Sequence, residues 1–133
     1  MEKRTSITPN EVLSAYRAIQ ELSKVVLPYK EARAVMNAKR ALSTEFETVL
    51  AMETAMSDEF GVKRRRNGQF DFPDNETAEN FLQKYEAAME ERTAVKLPLV
   101  DLSKYTDAIR LSAASVEALE GIVNFQREDT DNG

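Results

Sequence analysis

The densest charge in the chain is a run of four cations, Lys63, Arg64, Arg65 and Arg66, followed shortly by Phe70 and Phe72. Cations interleaved with aromatic rings are what a single-stranded nucleic acid requires, because guanidinium groups neutralise phosphates and rings stack on bases. The same residues admit a structural role, in which the cations offset Asp58, Glu59 and Asp71 nearby in the chain. A second cluster, Asp71, Asp74 and Glu76, offers carboxylate oxygens of the kind Ca²⁺ takes. Its spacing is not that of an EF-hand, and Asp74 is better placed as a helix cap, so no metal site is expected. A third set is Lys39 and Glu53, two charges at positions where an otherwise apolar pattern calls for apolar residues. Polar residues within a helical seam set its register or mark where it reaches solvent.

Several kinds of chemistry are excluded by residue type. The 133 residues include no cysteine and no histidine. Disulfide scaffolds, cysteine-based zinc sites, cysteine nucleophiles, histidine bases and Ser–His–Asp triads are therefore impossible. The P-loop, the G-x-G-x-x-G loop and the nucleophile elbow are missing. No pair of carboxylates stands out for acid–base work. The expectation is a protein that is not an enzyme and carries no cofactor. The net charge of −5 makes a poor general binder of nucleic acid or of an anionic membrane. An apolar share of 42% against a charged share of 31% is a folded composition, enough for one modest core. Met1 to Ser6 leads into no apolar run, so no signal peptide is expected, and no segment has membrane-spanning length.

The elements that must position these residues follow from periodicity and punctuation. Thr8-Pro9-Asn10-Glu11 is a capping box and opens a helix reaching Val26, with Ile7 as a hydrophobic staple. Pro28 to Gly61 is a single helix-forming run of about 50 Å. Its apolar residues Ala32, Val35, Leu42, Phe46, Val49, Met56 and Phe60 recur at steps of three and four, Lys39 and Glu53 fill the two gaps, and Met36, Leu50 and Met52 widen the stripe. A stripe of that length must be covered by other helices of the chain or by a second copy. The first two helices should fold back as an antiparallel pair, the alternative being a single rod kinked at Pro28.

Val62 to Phe72 reads as a β-hairpin about a type I′ Asn67-Gly68 turn. That register sets Arg66 opposite Gln69, Arg65 opposite Phe70, Arg64 opposite Asp71 and Lys63 opposite Phe72. Lys63, Arg65, Phe70 and Phe72 would share one face. A third helix starts after Asp74 or Asn75, with a stripe from Ala78 to Met89. Val95 to Leu102 is extended and is expected to support the hairpin as a third strand. Residues 103–111 are irregular with one helical turn. A last helix starts at Ser112 and runs past Gly121, which weakens it without ending it. The fold class expected is mainly α with a small β element, in one domain over residues 1–126 with a flexible polar tail at 127–133.

The order of these stretches carries a resemblance. Val12-Leu-Ser-Ala-Tyr-Arg-Ala-Ile-Gln-Glu-Leu, Leu27-Pro-Tyr-Lys-Glu-Ala-Arg, the long helix to Glu59-Phe-Gly, the Asn67-Gly68 turn, the Val95-Lys-Leu-Pro-Leu strand and Ser112-Ala-Ala-Ser-Val-Glu-Ala-Leu-Glu together resemble a family of small proteins from tailed bacteriophages and prophages of Gram-positive hosts. The resemblance covers residues 7 to 125 and rests on helix patterns and turns. It implies a phage context near tail and lysis functions and no catalytic residues. The basic run at 63–66 departs from the more acidic hairpin of that family.

The function expected is a phage or prophage protein that works by protein–protein contact in virion or tail assembly. It would present the long apolar stripe, with Lys39 and Glu53, and the hairpin tip of Lys63, Arg64, Arg65, Arg66, Phe70 and Phe72 to a phage or host protein. Two alternatives are an inhibitor of a host or anti-phage defence protein and a nucleic-acid-binding regulator that uses the basic hairpin. The expected location is the host bacterial cytoplasm or the virion.

Overall fold

The computed structural model describes residues 2–125. In chain order they form β1 (Glu2–Ile7), α1 (Pro9–Leu22), α2 (Tyr29–Phe60), β2 (Lys63–Arg64), β3 (Phe70–Asp71), α3 (Asn75–Met89), β4 (Thr93–Pro98), β5 (Val100–Asp101), a 3₁₀ turn at Thr106–Ala108, α4 (Ala113–Ala118) and β6 (Val123–Asn124). The architecture is mainly α with a small β element. The tail expected at 127–133 lies outside the described residues.

Local chemistry sets the helix ends. Thr8 accepts the Glu11 N–H through its hydroxyl, and the Glu11 carboxylate accepts the Thr8 N–H, which completes the capping box. Ile7 and Val12 are buried in one cluster, as a staple requires. Asp74 caps α3 by accepting the Thr77 N–H, and Ser112 caps α4 by accepting the Ser115 N–H. Gly61 takes φ +66, the left-handed conformation that closes a helix, and ends α2 at the expected residue.

The 32 residues of α2 form the spine of the molecule, and its stripe is covered within the chain. Val35, Ala38 and Leu42 pack with Ile19 and Leu22 of α1, Leu97 and Val100 of β4 and β5, and Leu119. Val49 meets Ile7, Val12 and Met89. Met56 meets Val62 and Phe81. Tyr16 stacks on Phe46 at 4.5 Å, which fixes α1 and α2 as an antiparallel pair. The stripe is thus core, and the reading of it as a surface offered to a partner is corrected.

Four further expectations differ from the fold. Helix α1 ends at Leu22 rather than Val26, and Ser23 closes it by donating to the Gln20 carbonyl. Leu22 is the last residue of α1 in the core, and the link to α2 leaves Val26 91% exposed. The strand at β4 does not support the hairpin; it pairs antiparallel with β1, from Glu2 opposite Pro98 to Ile7 opposite Thr93. A strand at 2–7 was not expected from its charged, weakly alternating residues. Gly121, at φ +85, follows the end of α4 at Ala118 and turns the chain into β6, which runs parallel to β5. A helix cannot pass through that backbone conformation. Among the described residues, no helix is long and apolar enough to cross a membrane.

Candidate functional site

The end of α2 carries the basic hairpin, and the structure corrects its register by one residue. Lys63 lies opposite Asp71 and Arg64 opposite Phe70. The Arg65 N–H donates to the Gln69 carbonyl, and the Gly68 N–H donates to the Arg65 carbonyl. A type I′ turn needs positive φ at both Asn67 and Gly68. Only Gly68 has it, at φ +88. Asn67 instead uses its side-chain oxygen to accept the Gln69 N–H. The loop is therefore three residues long and closes on a glycine bulge.

This register sorts the four cations into two kinds. Arg64 turns inward, with Nη1 2.7 Å from a carboxylate oxygen of Glu53 and its guanidinium carbon 5.4 Å from the centre of the Phe70 ring. Arg65 pairs with Asp71 at 2.6 Å, which holds the Asp71 carboxyl below the usual carboxylate range. Lys63 and Arg66 are exposed and have no ion pair within 4 Å among the described residues.

Glu53 is the residue on which the arrangement turns. It is only 3% exposed. A buried carboxylate must be paired, and this one has two donors, Arg64 and the Tyr85 hydroxyl. The apolar pattern singled out Glu53 as an exception, and the signal was sound. Its partners belong to the same chain rather than to a second copy. Tyr85, read only as part of an apolar stripe, is the contributor that sequence reasoning missed. Lys39 is half-buried on α2, fourteen residues and about 21 Å from Glu53 along the helix, so the two belong to no common site.

The aromatic residues of the hairpin face inward. Phe81 is fully buried at the centre of a cluster, with ring centres 5.0 Å from Phe70, 5.6 Å from Phe72, 5.6 Å from Tyr85 and 5.8 Å from Phe60. Phe70 and Phe72 are half-buried in this cluster, so their rings anchor the hairpin to α3. Lys84 closes the outer side by pairing with Glu59 at 2.7 Å. Asp71 and Asp74 are committed to Arg65 and to the start of α3, and among the described residues no three carboxylates converge as metal ligands would. An open groove of about 440 Å³ lies beside the clamp, lined by Glu53, Ser57, Asp58, Lys63 and Arg64 among others.

Burial, and secondly the hydrogen bond to Glu53, push the Tyr85 phenol up to about 12 from an ordinary value of 10.0. Between these values an unfolded chain loses its phenolic proton while the folded one keeps it. Stability from this group is therefore complete below pH 10 and falls as pH rises toward 12. An ultraviolet absorbance titration should show one phenol that ionises only near pH 12, and Glu53→Gln should bring that step down.

A second open groove, of about 610 Å³, lies between the start of α1 and α4, with Glu11, Glu117 and Glu120 on its walls. In comparisons with known proteins the chain matches no family model, no curated protein and no solved structure.

Proposed function

We propose that the protein works by contact with another protein, and that the hairpin tip is its docking element. The observation that carries this reading is the clamp at Glu53. The buried carboxylate and the Phe81 cluster hold β2 and β3 against α2 and α3, and Lys63 and Arg66 remain as outward cations on a fixed mount. Two exposed charges on a rigid hairpin suit an acidic patch on a partner, since preorganised side chains lose little freedom on binding.

The resemblance to phage and prophage proteins supports placing this contact in virion or tail assembly, in the host cytoplasm or on the virion. Catalysis is disfavoured because Glu53, the one deeply buried carboxylate among the described residues, is occupied by two donors of its own chain. Nucleic-acid binding is disfavoured because Arg64 and Arg65 are neutralised internally and Phe70 and Phe72 are packed away from any base.

The test is affinity capture from phage-infected and uninfected host cells with the wild-type chain and with Lys63→Glu/Arg66→Glu. The reading expects one protein held by the wild type and reduced roughly tenfold or more by the double reversal. Capture from infected cells alone fits assembly. Capture from uninfected cells fits inhibition of a host protein. Identical profiles for the two chains would sink the hairpin as the docking element.

A further inference from the structure

Helix α2 has a second apolar line that the core does not absorb. Tyr29, Met36 and Leu50 are 76%, 43% and 39% exposed. They stand seven and fourteen residues apart, with Ser43 at the step between Met36 and Leu50. A step of seven keeps side chains along one line of a helix, with a drift of about 20° per heptad. The line runs down one flank of α2, beside the buried stripe of Val35, Leu42, Val49 and Met56.

The charges along that flank decide the occupant. Arg40 and Glu47 border the seam four residues beyond Met36 and three before Leu50. Both are exposed, and neither has an ion pair within 4 Å among the described residues. They are seven residues apart, too far to reach each other within one helix. A second copy of α2 laid antiparallel, with the two-fold axis beside Ser43, sets Met36 of one chain against Leu50 of the other. The same register brings each Arg40 beside the other chain's Glu47, on both sides of the axis. The small Ser43 at the centre lets the helices approach. A parallel pair would instead put the two Arg40 side chains at one level and the two Glu47 side chains at another, with no unlike charge between them.

We infer that the occupant of this seam is a second copy of the chain, docked antiparallel through the Met36–Ser43–Leu50 flank as a two-fold symmetric dimer. Its contact is isologous, as such dimers require. Lys63 and Arg66 take no part in it, so this inference stands or falls independently of the docking role given to the hairpin tip.

The experiment is sedimentation equilibrium of the full chain, with circular dichroism as a check on folding. The wild type should be a concentration-dependent dimer. Leu50→Glu removes an apolar contact at both ends of the seam and should weaken association roughly a hundredfold. Arg40→Glu alone and Glu47→Arg alone should each weaken it roughly tenfold, because each sets like charges against each other across the seam. An equimolar mixture of these two variants should recover wild-type association, because in their antiparallel heterodimer every carboxylate again meets a guanidinium. A wild-type monomer at concentrations up to about 1 mM, a dimer indifferent to Leu50→Glu, or a mixture no tighter than its components would each overturn the inference.

Discussion

Arg64→Ala should destabilise the protein by about 2–4 kcal/mol, measured by urea denaturation at neutral pH. Removing one member of a buried ion pair typically costs about 3–5 kcal/mol, because the other charge stays behind in a poor solvent. Here Glu53 stays behind with its side chain 4% exposed, while Arg64 is 45% exposed, so water entering from the Arg64 side lowers the cost. Tyr85 still donates to Glu53, which leaves the carboxylate one partner. The double variant Arg64→Ala/Glu53→Met should regain part of the loss, because an apolar side chain of similar length needs no counter-charge. A single-variant cost below about 0.5 kcal/mol would mean that the aromatic cluster alone holds the hairpin.

Phe81→Ala should cost about 3–5 kcal/mol, the range for truncating a fully buried phenylalanine. For a chain of this length that lowers the melting temperature by about 10–20 °C. Four aromatic rings surround this one, so the cavity cannot close without moving the hairpin. The amide protons of Arg65 and Gly68, which bond across the hairpin, should therefore lose exchange protection more than those in the middle of α1. Phe81→Leu, which keeps most of the volume, should cost about 1–2 kcal/mol. Equal loss of protection at both ends of the molecule would show that the three packed clusters along α2 unfold as one.

Where structure depends on near neighbours, the chain announces it. The capping box at Thr8, the cap at Asp74, the cap at Ser112 and the stop at Gly61 each involve groups within a few residues of one another, and all four are where residue type predicts them. The hairpin is half legible. Asn67-Gly68 marks a reversal, but two turn geometries share that dipeptide, and the choice between them depends on whether Asn67 takes positive φ or hydrogen-bonds to Gln69. That choice moves Arg64 from opposite Asp71 to opposite Phe70 and onto Glu53, so a one-residue slip changes the chemistry of the site. Glu53 was visible as an anomaly in an apolar pattern. Its partners at Arg64 and Tyr85 were not, because no local rule connects residues so far apart in the chain. The same holds for β1 and β6, which exist only through strands brought to them by the rest of the fold.

The pairing of β1 with β4 also has a consequence for synthesis. Ribosomes add about 5–20 residues per second. Residues 2–7 must wait roughly five to twenty seconds for residues 93–98 to be made, with every amide and carbonyl of the strand unpaired. An apolar strand in that position would recruit neighbouring nascent chains. The residues there are Glu2, Lys3, Arg4, Thr5 and Ser6 before the single apolar Ile7. A composition that makes β1 hard to recognise as a strand keeps it soluble until its partner emerges.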